Sequence, residues 1–164
     1  MPIKLEGSCR CGAVSFSADS HTPQPYQLCY CSVCRKTAGG GGFAINLGAD
    51  ARTLRVQGRD AVGVFRAEIA EDGGACRTGT GERNFCTLCG SALWLYDPTW
   101  PDHVHPLASA IDSDLPEPPE RVHMMLGSKA DWVEPAIGRH DMTFDAYPEQ
   151  SLEEWHRSRG LWVA

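Results

Sequence analysis

The sequence predicts a mainly β, sheet-rich single domain with a short C-terminal helix. Three observations carry that prediction. Short runs of apolar residues, several of them alternating with polar ones, recur along the chain and are punctuated by Gly or Pro. The cysteines fall into tight clusters instead of being spread. Near the end, Ser151-Leu-Glu-Glu154 matches a helix capping box.

Ala13 to Ser17 sets Val14 and Phe16 against Ser15 and Ser17, the period-two pattern of a strand with one buried face. Phe43–Leu47, Thr53–Val56, Val62–Arg66, Ala92–Tyr96 and Val122–Leu126 are of similar length and read as further strands. Between them, Leu115-Pro-Glu-Pro-Pro-Glu120 reads as an extended connection, because each proline lacks an amide donor and disfavours helix. The helix opened by Ser151 runs toward Gly160 and is expected to serve packing. Packing is also the expected role of Trp100, Trp132, Trp155 and Trp162.

A chain of 164 residues suits one domain. A fold of that size hides roughly 70% of the surface its unfolded chain exposes, enough for a core of its own. The formal charge of −6 argues against nucleic acid as the main partner, since the densest basic spots, Arg35-Lys36 and Arg157-Ser-Arg159, are short. The longest apolar run, Ala92–Tyr96, is five residues, against roughly 20 for a membrane span, so no membrane partner is expected. Met1 to Ser8 holds no apolar core of a signal peptide, and a reducing cytoplasm is the expected compartment.

That compartment gives the eight cysteines their meaning, because clustered thiols in a reducing environment point to metal or catalysis, not disulfides. The clusters are Cys9-Arg-Cys11-Gly12, Cys29-Tyr-Cys31-Ser-Val-Cys34 and Cys86-Thr-Leu-Cys89-Gly90. Thiolates favour zinc, which takes four protein ligands when structural and usually three plus an open position when catalytic. Seven cysteines divide accordingly. Cys9, Cys11, Cys86 and Cys89 make a closed four-thiolate staple, and Cys29, Cys31 and Cys34 a three-thiolate site. Two zinc ions per chain are therefore expected. The triplet's missing fourth ligand points to catalysis, although one of the six histidines could close it as a second structural site. Cys76 stands alone and is expected as a small buried residue. The glycine run 39–42 after the triplet reads either as a turn or as backbone that a substrate can approach. Arg35 and Lys36 follow the triplet and are candidate cations for a bound substrate, whereas Arg83 stands beside the staple and is expected to support a turn.

At these clusters the chain resembles the glutathione-dependent formaldehyde-activating family, which includes the centromere-protein-V type domain. The resemblance rests on Gly7-Ser-Cys9-Arg-Cys11-Gly-Ala-Val14, Cys29-Tyr-Cys31-Ser-Val-Cys34-Arg-Lys36 and Arg83-Asn-Phe-Cys86-Thr-Leu-Cys89-Gly-Ser91. Weaker landmarks are Ala110-Ile-Asp112, Pro119-Glu-Arg-Val-His123 and Trp132. It spans residues 7–132, with 133–164 expected as an extension packed on the same domain. The resemblance implies packed antiparallel sheets, a structural zinc on Cys9, Cys11, Cys86 and Cys89, and a more labile zinc on Cys29, Cys31 and Cys34. It also implies a carbon–sulfur lyase-type reaction, addition of glutathione to formaldehyde or its reverse. Tyr30 departs from the family, which often has His between the first two triplet cysteines. The competing readings are a non-catalytic zinc domain that binds a protein partner, and a zinc-handling protein that exchanges metal at the triplet.

Overall fold

The computed structural model describes residues 1–70 and 74–164. In chain order the strands and helices begin with β1 (Ile3–Ser8), β2 (Ser15–Ser20), β3 (Gln27–Cys29), α1 (Ser32–Ala38), β4 (Ala44–Ile45) and β5 (Ala49–Asp50). There follow β6 (Arg55–Gln57), β7 (Val62–Phe65), β8 (Glu68–Ala70), β9 (Cys76–Thr78), β10 (Glu82–Cys86) and β11 (Ala92–Tyr96). The chain closes with β12 (His103–Pro106), β13 (Val122–Met124), β14 (Met142–Thr143) and α2 (Leu152–Ser158).

These strands build an antiparallel three-stranded sheet, β1-β2-β6, and an antiparallel five-stranded sheet, β5-β12-β11-β10-β7. A four-stranded sheet runs β14-β13-β3-β4, and β8 pairs with β9 as a separate ribbon. The four-stranded sheet departs from the antiparallel expectation, because β13 lies parallel to both β3 and β14. No tight turn joins β3 to β13, so nothing imposes the hairpin direction on them.

Alternation in β2 turns Phe16, Ala18 and Ser20 inward, and Phe16 meets Trp94 of β11 with ring centroids 5.2 Å apart. Leu5, Leu47, Leu93 and Val104 complete the main core. Each fully buried side chain of this size contributes about 1.5–3 kcal/mol. The β2 run starts later than its pattern suggests because Cys9 to Val14 closes as a turn, the Cys9 amide donating to the Val14 carbonyl at 3.0 Å. Strand β13 stops at Met124 because Met125 turns to φ 60°.

Helix α2 is capped as its sequence predicts, with Ser151 Oγ accepting from the Glu154 amide (3.2 Å) and Glu154 Oε2 from the Ser151 amide (2.8 Å). Its Trp155 lies flat on Tyr26, centroids 3.5 Å apart, in a second small core with Val122. A third, of Leu28, Tyr30 and Val133, surrounds the residue between Cys29 and Cys31. Cys76 overturns its expectation: it is exposed, because the β8–β9 ribbon is exposed at every described position. Trp100 and Trp132 lie exposed at the surface, and Trp155 in the second core. Among the described residues no helix is long and apolar enough to cross a membrane.

Candidate functional site

Seven of the eight cysteines gather into two groups whose sulfurs lie within 4.8 Å of one another, Cys9/Cys11/Cys86/Cys89 and Cys29/Cys31/Cys34. Among the described residues no histidine or carboxylate joins either group.

The four-sulfur group is made by two turns from different sheets. Cys9 and Cys11 lie in the β1–β2 connection, and Cys86 and Cys89 in the β10–β11 connection. The second turn closes when the Gly90 amide donates to the Cys86 carbonyl (2.8 Å), and Gly90 takes φ +78°, a conformation that L side chains rarely adopt. Cys9 Sγ lies 3.5 Å from Cys11 Sγ, and Cys11 Sγ 3.8 Å from Cys86 Sγ. Four sulfurs each about 2.3 Å from a tetrahedral zinc would stand about 3.8 Å apart, so the donor set fits that ion. Amide and hydroxyl groups already favour the charged form here. The Val14 amide donates to Cys9 Sγ at 3.2 Å, and Ser91 lowers Cys89 to about 5 through its hydroxyl and its backbone.

The triplet is built differently. Cys29 ends β3, Cys31 caps α1, and Cys34 lies buried in its first turn. The sequence pattern did not reveal α1, because a helix of seven residues capped by a cysteine lacks the usual Ser, Thr, Asp or Asn signal. Cys31 Sγ accepts from the Cys34 amide at 3.3 Å. Three thiols this close compete for charge. Hydrogen bonds from Cys29 and then Cys34 hold Cys31 down, to about 2, while Cys31, Cys34 and burial push Cys29 up. A divalent cation would relieve that competition by accepting all three as thiolates.

The cation that reaches the triplet is Arg83. Its two terminal nitrogens both stand 3.8 Å from Cys34 Sγ, and Asn46 Nδ2 approaches the same sulfur at 3.9 Å. Arg83 therefore does not serve the neighbouring staple turn. It lies mid-strand in β10, paired with Phe65 of β7 and Leu95 of β11, so the sheet register carries its side chain away from Cys86. The signal available was that residues an odd number apart on a strand take opposite faces. Of the two cations after the triplet, Lys36 is exposed and Arg35 is half-buried, with its Nε unpartnered among the described residues.

Tyr30 points into the third core and not toward the sulfurs. Its hydroxyl meets His123 Nδ1 at 2.8 Å, and His123 Nε2 meets Asp141 Oδ2 at 3.0 Å. Asp141 also accepts from the backbone amides of Arg121 and Gly138, both at 2.8 Å. Burial would raise that carboxyl, but the His123 bond and the two amides outweigh it and hold Asp141 at about 2. Through this chain a buried residue between two triplet cysteines is fixed to β13 and to the segment before β14. Nothing in the local motif announced it, since Tyr30 and His123 are 93 positions apart.

Two of the four glycines in the run, Gly39 and Gly42, are required by close packing. A Cβ on Gly42 would meet Val133 Cγ2 at 2.4 Å, and one on Gly39 the Phe43 carbonyl oxygen at 2.2 Å, while Gly40 has open space around it.

Over residues 4–125 the chain matches the family described as glutathione-dependent formaldehyde-activating enzyme. A curated relative from Halomonas elongata is 58% identical over 157 residues, covering 96% of this chain and 97% of its own, and carries the name "Putative glutathione-dependent formaldehyde-activating enzyme". A crystal structure of a Rhodobacter sphaeroides protein shares the fold at a TM-score of 0.51 and 24% identity, over 70% of this chain and 92% of that one. With its two cysteine groups and the full-length match to that relative, the chain belongs to the glutathione-dependent formaldehyde-activating enzyme family.

Proposed function

We propose that the chain is a zinc-dependent enzyme of the carbon–sulfur lyase type, joining a small thiol such as glutathione to an aldehyde such as formaldehyde or reversing that addition. The observation that carries this reading is the contrast between the two sulfur groups. One has four sulfurs, a closed set for a structural zinc. The other has three, with a guanidinium against one of them. In this reading Cys9, Cys11, Cys86 and Cys89 hold the staple, and Cys29, Cys31 and Cys34 hold the second zinc.

When bound there, zinc supplies Lewis-acid polarisation and favours the deprotonated form of an incoming thiol. The residues of the chain do the rest. Arg83 offsets negative charge that three thiolates and a substrate thiolate concentrate in one place. Its position beside Cys34 also suits an alkoxide that develops when sulfur attacks a carbonyl carbon. Arg35 and Lys36 place further positive charge on the helix that carries Cys34, and the carboxylates of a peptide thiol are their expected partners. The Tyr30–His123–Asp141 chain keeps the backbone between Cys29 and Cys31 in place.

The test is calorimetry of zinc-loaded protein with glutathione and with its S-methyl analogue, followed by NMR detection of S-(hydroxymethyl)glutathione. Binding of the free thiol with proton release, and faster adduct formation than in buffer, are the expected results. Equal response to both thiols with no change in adduct rate would refute the reading and leave a non-catalytic zinc-binding domain.

A further inference from the structure

Formaldehyde has two non-hydrogen atoms and is little larger than a water molecule, whose share of liquid volume is about 30 Å³. The space beside the triplet is far larger. A cleft of about 380 Å³ opens where Thr37 and Ala38, just beyond Cys34 on α1, face the five-stranded sheet. Phe65, Phe85, Leu95 and Leu107 give it apolar walls, and Arg83 is its charged residue. Phe65 is 48% exposed, a large aromatic left half in solvent at the edge of that cleft. A second cleft, of about 370 Å³, shares Leu95 and is lined by Asn46 and Gln150 but also by Met124, Leu152 and the carboxylate of Glu149. Each cleft thus contributes one polar group to the same sulfur. Arg83 reaches Cys34 Sγ from the first cleft, and Asn46 reaches it from the second.

We infer that the apolar cleft receives the carbonyl substrate, and that this substrate is an aldehyde bearing an aliphatic chain or a single aromatic ring. This rests on the thiol-addition reading above and narrows its substrate class. A peptide thiol with two carboxylates belongs outside the apolar cleft, since apolar walls cannot replace its hydration, and Arg35 and Lys36 on α1 are the cations for its carboxylates. The apolar cleft has the size and lining of a small-molecule site, mostly hydrophobic with a few polar groups, Thr37, Asn84 and the charged Arg83. In the reaction the thiolate sulfur donates its electron pair to the carbonyl carbon and forms the C–S bond. The C=O π pair moves to oxygen beside Arg83, and the proton that the thiol released returns to that oxygen. The product is a hemithioacetal, and no oxidant or reductant is consumed.

The experiment compares glutathione addition to formaldehyde, hexanal and benzaldehyde, each expressed as rate enhancement over the spontaneous reaction, in wild type and Phe65→Ala. In parallel, hexanol, an unreactive probe, is titrated against the Leu95 and Leu107 methyl resonances. The inference expects an enhancement at least tenfold greater for hexanal than for formaldehyde. It expects Phe65→Ala to cut the hexanal value at least threefold more than the formaldehyde value, and hexanol to shift both leucines. Equal enhancement for all three aldehydes would overturn the substrate class while leaving thiol addition standing. Unmoved Leu95 and Leu107 methyls would overturn the cleft assignment whatever the activity. Shifted methyls with no aldehyde reacting would overturn the thiol-addition reading and, with it, the aldehyde.

Discussion

Replacing Arg83 by Leu tests whether the guanidinium on Cys34 sustains the charge of the triplet. Both terminal nitrogens lie 3.8 Å from the sulfur. A pair of unit charges at that separation interacts by about 4 kcal/mol at an effective dielectric of about 20. Ordering and desolvating the partly buried side chain offsets part of this, so about 1.5–3 kcal/mol remains, the range for hydrogen bonds to charged groups. That corresponds to roughly a ten- to hundredfold loss of affinity for whatever binds the triplet as thiolates. The variant should still fold, because residue 83 pairs across the sheet with Phe65 and Leu95 and a leucine suits that row. The assay is competition for zinc between the protein and a chromophoric chelator, which resolves a tight and a weak site. Weakening confined to the weak site, with Arg83→Lys intermediate, is the expected outcome. Unchanged affinity at the weak site, or an equal loss at both, would refute the reasoning.

Metal analysis of gently purified protein should approach two zinc ions per chain and fall to one under mild chelation with the fold retained; disulfides in place of metal would contradict the two sulfur groups. Cys86→Ser should lower the thermal midpoint far more than Cys31→Ser, because the staple joins turns 75 positions apart and couples metal binding to folding; equal losses in the two melts would make both sites structural. Asp141→Asn should destabilise the protein by about 2 kcal/mol at neutral pH, from a carboxyl held near 2 against 3.8 for the free group. Because the folded value is the depressed one, that stability is present above about pH 4 and lost as pH falls toward 2, so the wild-type advantage in denaturant titrations should shrink over that window. An advantage independent of pH would assign the role of Asp141 to packing instead of charge.

Cysteine spacing made the site legible because metal geometry acts locally: Cys86-x-x-Cys89 and Cys29-x-Cys31-x-x-Cys34 each bring sulfurs together within a single turn or helix end. The pairing of the 9/11 turn with the 86/89 turn followed from counting ligands against a tetrahedral ion. What escaped was set by tertiary register. Arg83 is next to the staple in sequence, yet its side chain follows the pleat to Cys34; alternation parts it from Cys86 but does not say that its face of β10 looks at α1. Tyr30 reads as a poor substitute for a ligand until His123 and Asp141 arrive from the far end of the chain. Cys76 was misjudged because burial of a lone cysteine is a general tendency, whereas its strand belongs to an exposed ribbon. Strand positions were visible in the alternation of Phe16 with its neighbours, but the parallel placing of β13 beside β3 was not, since no turn chemistry encodes it.

The parallel pairing of β13 with β3 also orders assembly in time. The staple's ligands are all present once residue 89 has left the ribosome, so the N-terminal sheet and the β10–β11 turn can be clamped while the rest of the chain is still being made. The strand that ends in Cys29 has no such early partner in β13. Residues 122–124, and the Asp141 that secures Tyr30, are translated after the staple's last ligand. The staple's ligands are thus all made before the segments that fix Tyr30, between the first two triplet cysteines, exist to dock on it.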